Sequence, residues 1–339
     1  MSERKAILQV KELRTTFFTD DGEIPAVDNI DFTINEGEVL GIVGESGCGK
    51  SVTSLSIMGL VPSPPGKITG GEILFENKDL SKLNDREMRK IRGNDVAMIF
   101  QEPMTSLNPL FTIGSQLLEA IVIHKKEWSK KQARNRAIEM LTLVGLPRAE
   151  EMMKEYPHQL SGGMRQRVMI AMALVCEPKV LIADEPTTAL DVTIQAQILA
   201  LIKDLNDRLN TAVLLITHDL GVVAEICERV VVMYAGKIVE EGPVQVIFKN
   251  PQHPYTKGLL QSVPDLRFKK QRLYSIPGNV PKPGSIKTGC RFAERCEFAF
   301  DKCLTENPDL YQTSSVQKTR CFLYEDQEVS AHDRTFVES

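Results

Sequence analysis

The sequence predicts an α/β fold, a mostly parallel sheet whose strand ends carry a phosphate-binding loop. Three observations predict it. Residues 44–51 read Gly-Glu-Ser-Gly-Cys-Gly-Lys-Ser and fill the pattern G-x-x-x-x-G-K-[ST] at Gly44, Gly49, Lys50 and Ser51. An apolar run at 39–43 enters that loop and a helix-like run at 51–60 leaves it, the strand–loop–helix context the motif requires. Downstream, near-continuous apolar runs at 180–184 and 213–217 alternate with helical ones; strands apolar on both faces belong to parallel sheets covered by helices.

The loop has a chemical reason for its composition. Glycines let backbone N–H groups turn towards phosphate oxygens, and the helix that follows adds positive partial charge at its N-terminus. The stretch Ser46, Gly47, Cys48, Gly49, Lys50, Ser51 and Val52 is therefore expected around a nucleoside triphosphate such as ATP. Lys50 is expected to reach the β- and γ-phosphates, and the Ser51 hydroxyl to ligate Mg²⁺.

The elements follow in order. Residues 6–43 read as β-rich, with strands at 7–10 and 26–34 separated by the turn Asp20-Asp21-Gly22-Glu23. A loop is marked by Pro62-Ser63-Pro64-Pro65-Gly66, and 71–77 reads as another strand. The apolar strand 96–100 ends at Gln101. Between about 105 and 160 the pattern turns helical, with helices at 113–124 and 129–144. A further helix at 164–175 follows Gly162 and Gly163 directly, so those glycines are expected at a helix N-terminus, a geometry suited to anion contact. Residues 193–209 are amphipathic, with Ile194, Ile198, Leu201, Ile202, Leu205 and Leu209 on one face, expected to pack on the sheet. From 242 the chain leaves the α/β pattern: 250–255 read as a loop before a short helix, 264–290 are rich in Pro, Gly and Lys, and 325–339 are polar and expected to fray.

Composition bounds the function. The 339 residues carry 41 basic and 45 acidic side chains, a net charge of −4, which argues against broad binding to nucleic acid. No apolar stretch approaches ~18 residues, and the N-terminal residues lack the apolar centre of a signal peptide. The most apolar segment, 168–176, is nine residues long and reads as a buried helix. A pore, if this chain serves one, must come from separate subunits. Seven cysteines without an export signal point to a reducing compartment; Cys48, Cys176 and Cys227 read as small core or loop residues.

Residues 160–164, Leu-Ser-Gly-Gly-Met, resemble the signature motif of ATP-binding cassette (ABC) ATPases, and the other landmarks of that family follow in register. Gln101 resembles the Q-loop glutamine. The run 180–184 ends in Asp184 like a Walker B strand, with Glu185 directly after it. Ala189-Leu190-Asp191 resembles the D-loop and His218 the switch histidine. Met164 departs from the usual glutamine at the fifth signature position. The resemblance implies an ABC ATPase core over 5–242, with an antiparallel β subdomain and a helical subdomain at about 105–178. It also implies roles: Ser51, Asp184 and Gln101 at Mg²⁺, Glu185 polarising the attacking water, His218 at the γ-phosphate, and Phe17 stacking on adenine, with Phe18 as the alternative. Ser161, Gly162 and Gly163 would then contact nucleotide bound to a second ATPase subunit, two nucleotides being sandwiched in a dimer.

Two further segments narrow the resemblance. Gln101-Glu-Pro-Met-Thr-Ser-Leu-Asn-Pro109 and Asn250-Pro-Gln-His-Pro-Tyr-Thr-Lys-Gly-Leu-Leu260 are similar to ATPase subunits of bacterial dipeptide/oligopeptide importers, as is the tail from Gly289 to Cys321. That similarity implies two membrane permease subunits, a second related ATPase, an extracytoplasmic substrate-binding protein, and a peripheral place on the cytoplasmic face of the membrane. The surface from Met104 to Leu110 would dock a permease. A different cargo (nickel, glutathione or another small solute) stays open. A soluble ABC ATPase of translation or DNA repair is disfavoured by one P-loop, one signature and no long heptad run.

The expected extension, 243–325, contains Cys290, Cys296, Cys303 and Cys321, with five, six and seventeen residues between them, ahead of a flexible tail at 326–339. Four cysteines suit a [4Fe–4S] cluster or a Cys₄ zinc site, with uncommitted thiols as the third reading. The gaps lack the paired two-residue spacing of zinc ribbons, and the resemblance to peptide-importer ATPases implies the cluster, as a structural clip for a loop-rich segment.

Overall fold

The computed structural model describes residues 4–20, 22–101, 107–187, 191–262 and 274–326. In chain order the strands are β1 (Ala6–Thr19), β2 (Gly22–Asn35), β3 (Val39–Val43), β4 (Gly66–Phe75), β5 (Lys78–Asp79), β6 (Val96–Ile99), β7 (Val180–Asp184), β8 (Ala212–Ile216), β9 (Arg229–Tyr234), β10 (Lys237–Pro243), β11 (Tyr311–Gln312) and β12 (Lys318–Thr319). The helices are α1 (Lys50–Ile57), α2 (Asp85–Ile91), α3 (Ile113–His124), α4 (Lys130–Leu143), α5 (Ala149–Met152), α6 (Gly162–Leu174), α7 (Val192–Leu209), α8 (Leu220–Ile226), α9 (Val244–Lys249), α10 (Pro254–Gln261) and α11 (Asp301–Thr305). They belong to two compact units, one of Met1–Leu8, Ile34–Val39 and Phe75–Leu215, the other of Gln9–Thr33, Leu40–Leu74 and Ile216–Ser339.

The first unit holds the helical region and the strands β6 to β8. β6 runs parallel to β7, Val96 opposite Val180 and Ile99 opposite Ala183, and β7 lies between β6 and β8. All five residues of β7 and of β8 are buried, as the unbroken apolar runs require. Helix starts are set by side chains that satisfy otherwise orphan N–H groups. Thr112 accepts from Ser115 N at α3, Ser129 and Gln132 close a capping box at α4, and Asp191 accepts from Ile194 N at α7. On α7, Ile198, Leu201, Ile202 and Leu205 are buried, four of the six residues expected on the apolar face, while Ile194 and Leu209 nearer its ends are half-buried.

The second unit holds the P-loop and the C-terminal segment. β3 is fully buried and runs parallel to β9, Val43 opposite Val232. β10 returns antiparallel to β9 with a bulge between Ile238 and Glu240, and β12 and β11 add two short antiparallel strands. Two strands expected as short runs near the N-terminus are 14 residues each. Their outer parts, Arg14 to Thr19 and Gly22 to Ala26, lack a strict apolar alternation, since the buried positions of the first, Thr15 and Thr16, are polar and adjacent. β1 lies between β2 and β4.

Candidate nucleotide site

The P-loop leaves β3 at Val43 and enters α1 at Lys50. Gly49 stands at φ 103, where a Cβ would come within 2.4 Å of the Ala26 carbonyl. At Gly44 an added Cβ would meet the Met233 carbonyl at 2.2 Å. Both positions are therefore closed to any side chain by backbone, which explains the two glycines at fixed spacing. Lys50 is 5% exposed; its ammonium donates to the Gly44 carbonyl at 2.7 Å and the Glu45 carbonyl at 3.1 Å. The lysine thus rests across the loop it belongs to, with its charge held over the turn. Ser46 and Gly47 are exposed, and Cys48 is buried beneath the loop with its thiol pushed up chiefly by burial.

His218 is exposed in the same unit, immediately after Thr217, whose N–H donates to the Ile42 carbonyl at 3.2 Å. It therefore stands one strand over from the start of the P-loop. Asp219 begins α8, accepting from Gly221 N at 2.8 Å. Phe17 is half-buried on β1, its ring against Gly66, where a Cβ would approach Cε1 to 2.9 Å; Phe18 is 46% exposed.

The other candidate residues lie in the first unit. Asp184 closes β7 and is 4% exposed. Glu185 follows with φ 46, a left-handed conformation uncommon outside glycine. Gln101 Nε2 donates to Glu185 Oε2 at 2.8 Å, so these two expected residues meet. Ser161 is the N-cap of α6, its hydroxyl accepting from Met164 N at 3.3 Å, and Gly162 and Gly163 form the first turn. A Cβ on Gly163 would come within 3.1 Å of Ile194 Cγ2, so this glycine lets α6 approach α7. No sequence signal marks Gln166, fully buried on α6, whose Nε2 donates to the Pro186 carbonyl at 2.5 Å and joins the signature helix to the residue after Glu185. Residues 102–106 of the Q-loop segment and Ala189 and Leu190 of the D-loop segment lie outside the described residues, as do residues 327–339 of the tail; Leu110 and Phe111 beyond the first are 80% and 54% exposed.

In the second unit, Cys290, Cys296, Cys303 and Cys321 line one small cavity with Phe292, Ala293, Phe298 and Phe322. The Cys290 N–H donates to the Cys303 carbonyl at 2.7 Å, tying the first cysteine to the third. Burial pushes the Cys290 and Cys321 thiols up to about 11 and that of Cys296 upward. All are free thiols. Among the described residues no three His, Cys, Asp or Glu side chains are grouped as ligands of a single metal ion. The four-cysteine metal site expected from sequence is therefore not found as a grouped ligand set among the described residues; the four cysteines share the lining of one cavity, and their donor set is all sulfur, which suits a thiolate-ligated group.

The family described as ABC transporter matches residues 27–188, and the oligopeptide/dipeptide transporter C-terminal region matches 239–303. The oligopeptide transport ATP-binding protein AppD of Bacillus subtilis is 58% identical over 95% of this chain and 98% of its own. The dipeptide transport ATP-binding protein DppD of the same organism is 55% identical over 94% of each. Among solved structures, a dimeric bacterial ABC transporter cassette is 33% identical, with a TM-score of 0.62 over 70% of this chain and 98% of its own; the same cassette is also known in a post-hydrolysis state bound to ADP and Pi. No helix among the described residues is long and apolar enough to cross a membrane. The chain is an ABC ATPase and belongs to the ATP-binding proteins of the oligopeptide/dipeptide transporters.

Proposed function

We propose that this chain is the ATP-hydrolysing, energy-coupling subunit of a membrane importer of di- or oligopeptides. The observation that carries this reading is the span of the similarity. Peptide-transport ATP-binding proteins match over 95% and 94% of the chain, and a separate C-terminal match covers 239–303. A complete P-loop supplies the chemistry.

Hydrolysis needs phosphates held in place, charge neutralised by metal, and a placed water. In this reading the N–H groups from Ser46 to Val52 and the Lys50 ammonium hold the phosphates. Ser51, Asp184 and Gln101 would hold Mg²⁺, which supplies charge neutralisation when bound. Glu185 polarises the water; the buried Asp184 beside it and the Gln101 amide at 2.8 Å fix its place. His218 contacts the γ-phosphate, and Phe17 stacks on adenine, with Phe18 as its exposed neighbour. Ser161, Gly162 and Gly163 serve a nucleotide on a second, related ATPase subunit, so that closure and opening of the dimer follow binding and hydrolysis. Two permeases receive that motion at the surface around Leu110, on the cytoplasmic face of the membrane, and an extracytoplasmic binding protein delivers cargo to them. The ATPase domain spans 5–242 and the extension 243–325.

Cys290, Cys296, Cys303 and Cys321 of the extension would hold a [4Fe–4S] cluster as a structural clip. Their convergence on one cavity supports this. When bound, the cluster would supply a covalent tie between Cys290, Cys296, Cys303 and Cys321, which otherwise sit in a segment with little regular structure.

The test is ATP turnover and solute uptake by the chain with its permeases in proteoliposomes. Wild-type protein is expected to hydrolyse ATP and drive peptide uptake, and Lys50→Ala to lose both by at least about 100-fold. Uptake of nickel or glutathione but not peptide would overturn the cargo, and wild-type turnover in Lys50→Ala would overturn the site.

A further inference from the structure

We infer that the C-terminal extension positions the P-loop through Arg295 and Tyr255, so that nucleotide affinity depends on the ion pair between Arg295 and Glu45. Glu45 is the second residue of the P-loop, and three of its groups are held. Its N–H donates to Tyr255 Oη at 2.8 Å. Its carbonyl accepts from Lys50 Nζ at 3.1 Å. Its carboxylate takes both terminal nitrogens of Arg295, at 2.7 and 3.1 Å. Two of these three ties come from residues more than 200 positions further along the chain.

Both partners are built to hold still. The Tyr255 side chain is fully buried, its ring 4.6 Å from that of Tyr234 and 5.5 Å from that of Phe292, and its N–H donates to His253 Nδ1 at 3.1 Å. The Arg295 side chain is 5% exposed. Its Nε donates to the Pro277 carbonyl at 2.8 Å, and its guanidinium lies 5.7 Å from the Tyr234 ring centre and 5.9 Å from that of Phe292. A bidentate pair with one partner buried is stronger and less screened than a surface pair. Its consequence reaches the nucleotide because the Glu45 carbonyl shares the Lys50 ammonium with Gly44. Shifting Glu45 releases the loop backbone that fixes the Lys50 ammonium over the turn, so the charge and the N–H groups that receive phosphate lose their set position.

The turn that carries Arg295, Ala293–Arg295, lies between two of the four cysteines. Its Ala293 N–H donates to the Cys290 carbonyl at 2.9 Å, and the Cys296 N–H closes it on the Ala293 carbonyl at 3.2 Å. The cysteine cavity and the P-loop are therefore joined by one short, fully tethered path. Arg295 and Tyr255 are positioning residues for nucleotide binding, a role the expected motifs did not include.

The inference takes its readout from the ATPase reading above and is tested by equilibrium binding of a fluorescent ATP analogue to the full chain, with steady-state hydrolysis alongside. Glu45→Gln, Arg295→Met and Tyr255→Phe are each expected to weaken binding and raise KM about 3- to 10-fold, with kcat within about two-fold. Arg295→Lys should recover part of the loss, and Glu45→Gln with Arg295→Met should be no worse than the weaker single variant, since both remove one interaction. Unchanged affinity in Glu45→Gln and Tyr255→Phe, or full additivity in the double variant, would overturn the inference. If Arg295→Met does not fold, Glu45→Gln, which leaves the extension's packing intact, decides alone. Wild-type binding in Lys50→Ala would instead overturn the ATPase site and leave the two failures distinct.

Discussion

The side-chain amide of Gln101 donates to Oε2 of Glu185 across 2.8 Å. The two residues are 84 positions apart and enter from the ends of the neighbouring parallel strands β6 and β7. Glu185 itself holds φ at 46, a conformation that costs a non-glycine residue about 1 kcal/mol or more and persists where the surroundings impose it. The Gln166 amide on the Pro186 carbonyl is one such surrounding. The carboxylate is thus aimed from three directions: by its strand end, by its backbone, and by an amide.

Glu185→Gln is expected to bind ATP like wild type and to hydrolyse it at least about 100-fold more slowly, the scale of a lost general base. Gln101→Ala removes the amide and leaves the carboxylate, so its loss should be smaller, about 10-fold. Turnover and ATP-analogue binding measured together separate the two. Comparable losses in both variants would mean that Gln101 does more than orient Glu185.

Ser161 caps a helix, and its proposed contact with nucleotide can be separated from that cap by substitution. Its hydroxyl caps α6 through Met164 N at 3.3 Å, and losing a cap costs about 1 kcal/mol. Ser161→Ala should therefore lower the unfolding free energy by about that amount, while ATP hydrolysis falls at least about 10-fold and nucleotide binding to the single chain holds. Ser161→Asp restores the cap but places a carboxylate where phosphate is expected, and should regain stability without activity. Recovery of hydrolysis in Ser161→Asp would reduce Ser161 to a cap.

The motifs were legible because each combines residue type with a fixed local spacing. Gly49 and Gly44 are forced by nearby carbonyls, and the strand β7 by its five buried residues, so local chemistry reports them. α3 has the expected bounds because Thr112 caps it and apolar spacing sets its face. The long pairing of β1 with β2 was not legible, because its outer residues alternate poorly. Nor were Arg295 on Glu45, Tyr255 on the Glu45 N–H, and Gln166 on Pro186. Each is a single long-range contact by a residue type common on surfaces, with no periodicity to mark it. Aromatic clustering of Tyr255 with the later Phe292 was the available hint, and it becomes visible only once the extension is folded back.

Acid should weaken the unit that holds His253. This imidazole is 1% exposed, and its Nδ1 accepts the Tyr255 N–H at 3.1 Å. Burial, helped by the charges of Arg320 and Lys257, pushes its pKa from 6.5 down to about 3. A folded pKa below the unfolded one contributes stability that is full above pH 6.5 and is lost as pH falls towards 3. Each pH unit in that window removes up to about 1.4 kcal/mol. Glu240 works the other way: burial raises its carboxyl pKa, so the folded state takes that proton first and offsets part of the loss. Urea unfolding at pH 7, 6, 5 and 4 should show a falling midpoint, and His253→Asn should flatten the slope between pH 6 and 5. Parallel slopes in the two proteins would show that His253 does not carry the dependence.

Protein purified without oxygen should carry about four iron and four acid-labile sulfide per chain if the cysteine cavity holds a [4Fe–4S] cluster. The physical case is that Cys290, Cys296, Cys303 and Cys321 border one cavity with Phe292 and Phe322, although no described trio is grouped around one ion. Two of these thiols are pushed up to about 11 by burial, a poor state for free nucleophiles but one that a metal reverses by taking the thiolate. Cys290→Ser should lose the iron, and because the turn bearing Arg295 lies between Cys290 and Cys296, losing a cluster that ties those two cysteines should lower ATP affinity with it. One zinc per chain would replace the cluster with a single ion and require the four sulfurs to close in; neither iron nor zinc in the wild type would leave the four thiols as packing alone. Iron lost in Cys290→Ser with ATP affinity unchanged would uncouple the cavity from Glu45, and the path through Arg295 would then serve the fold of the extension and not the nucleotide.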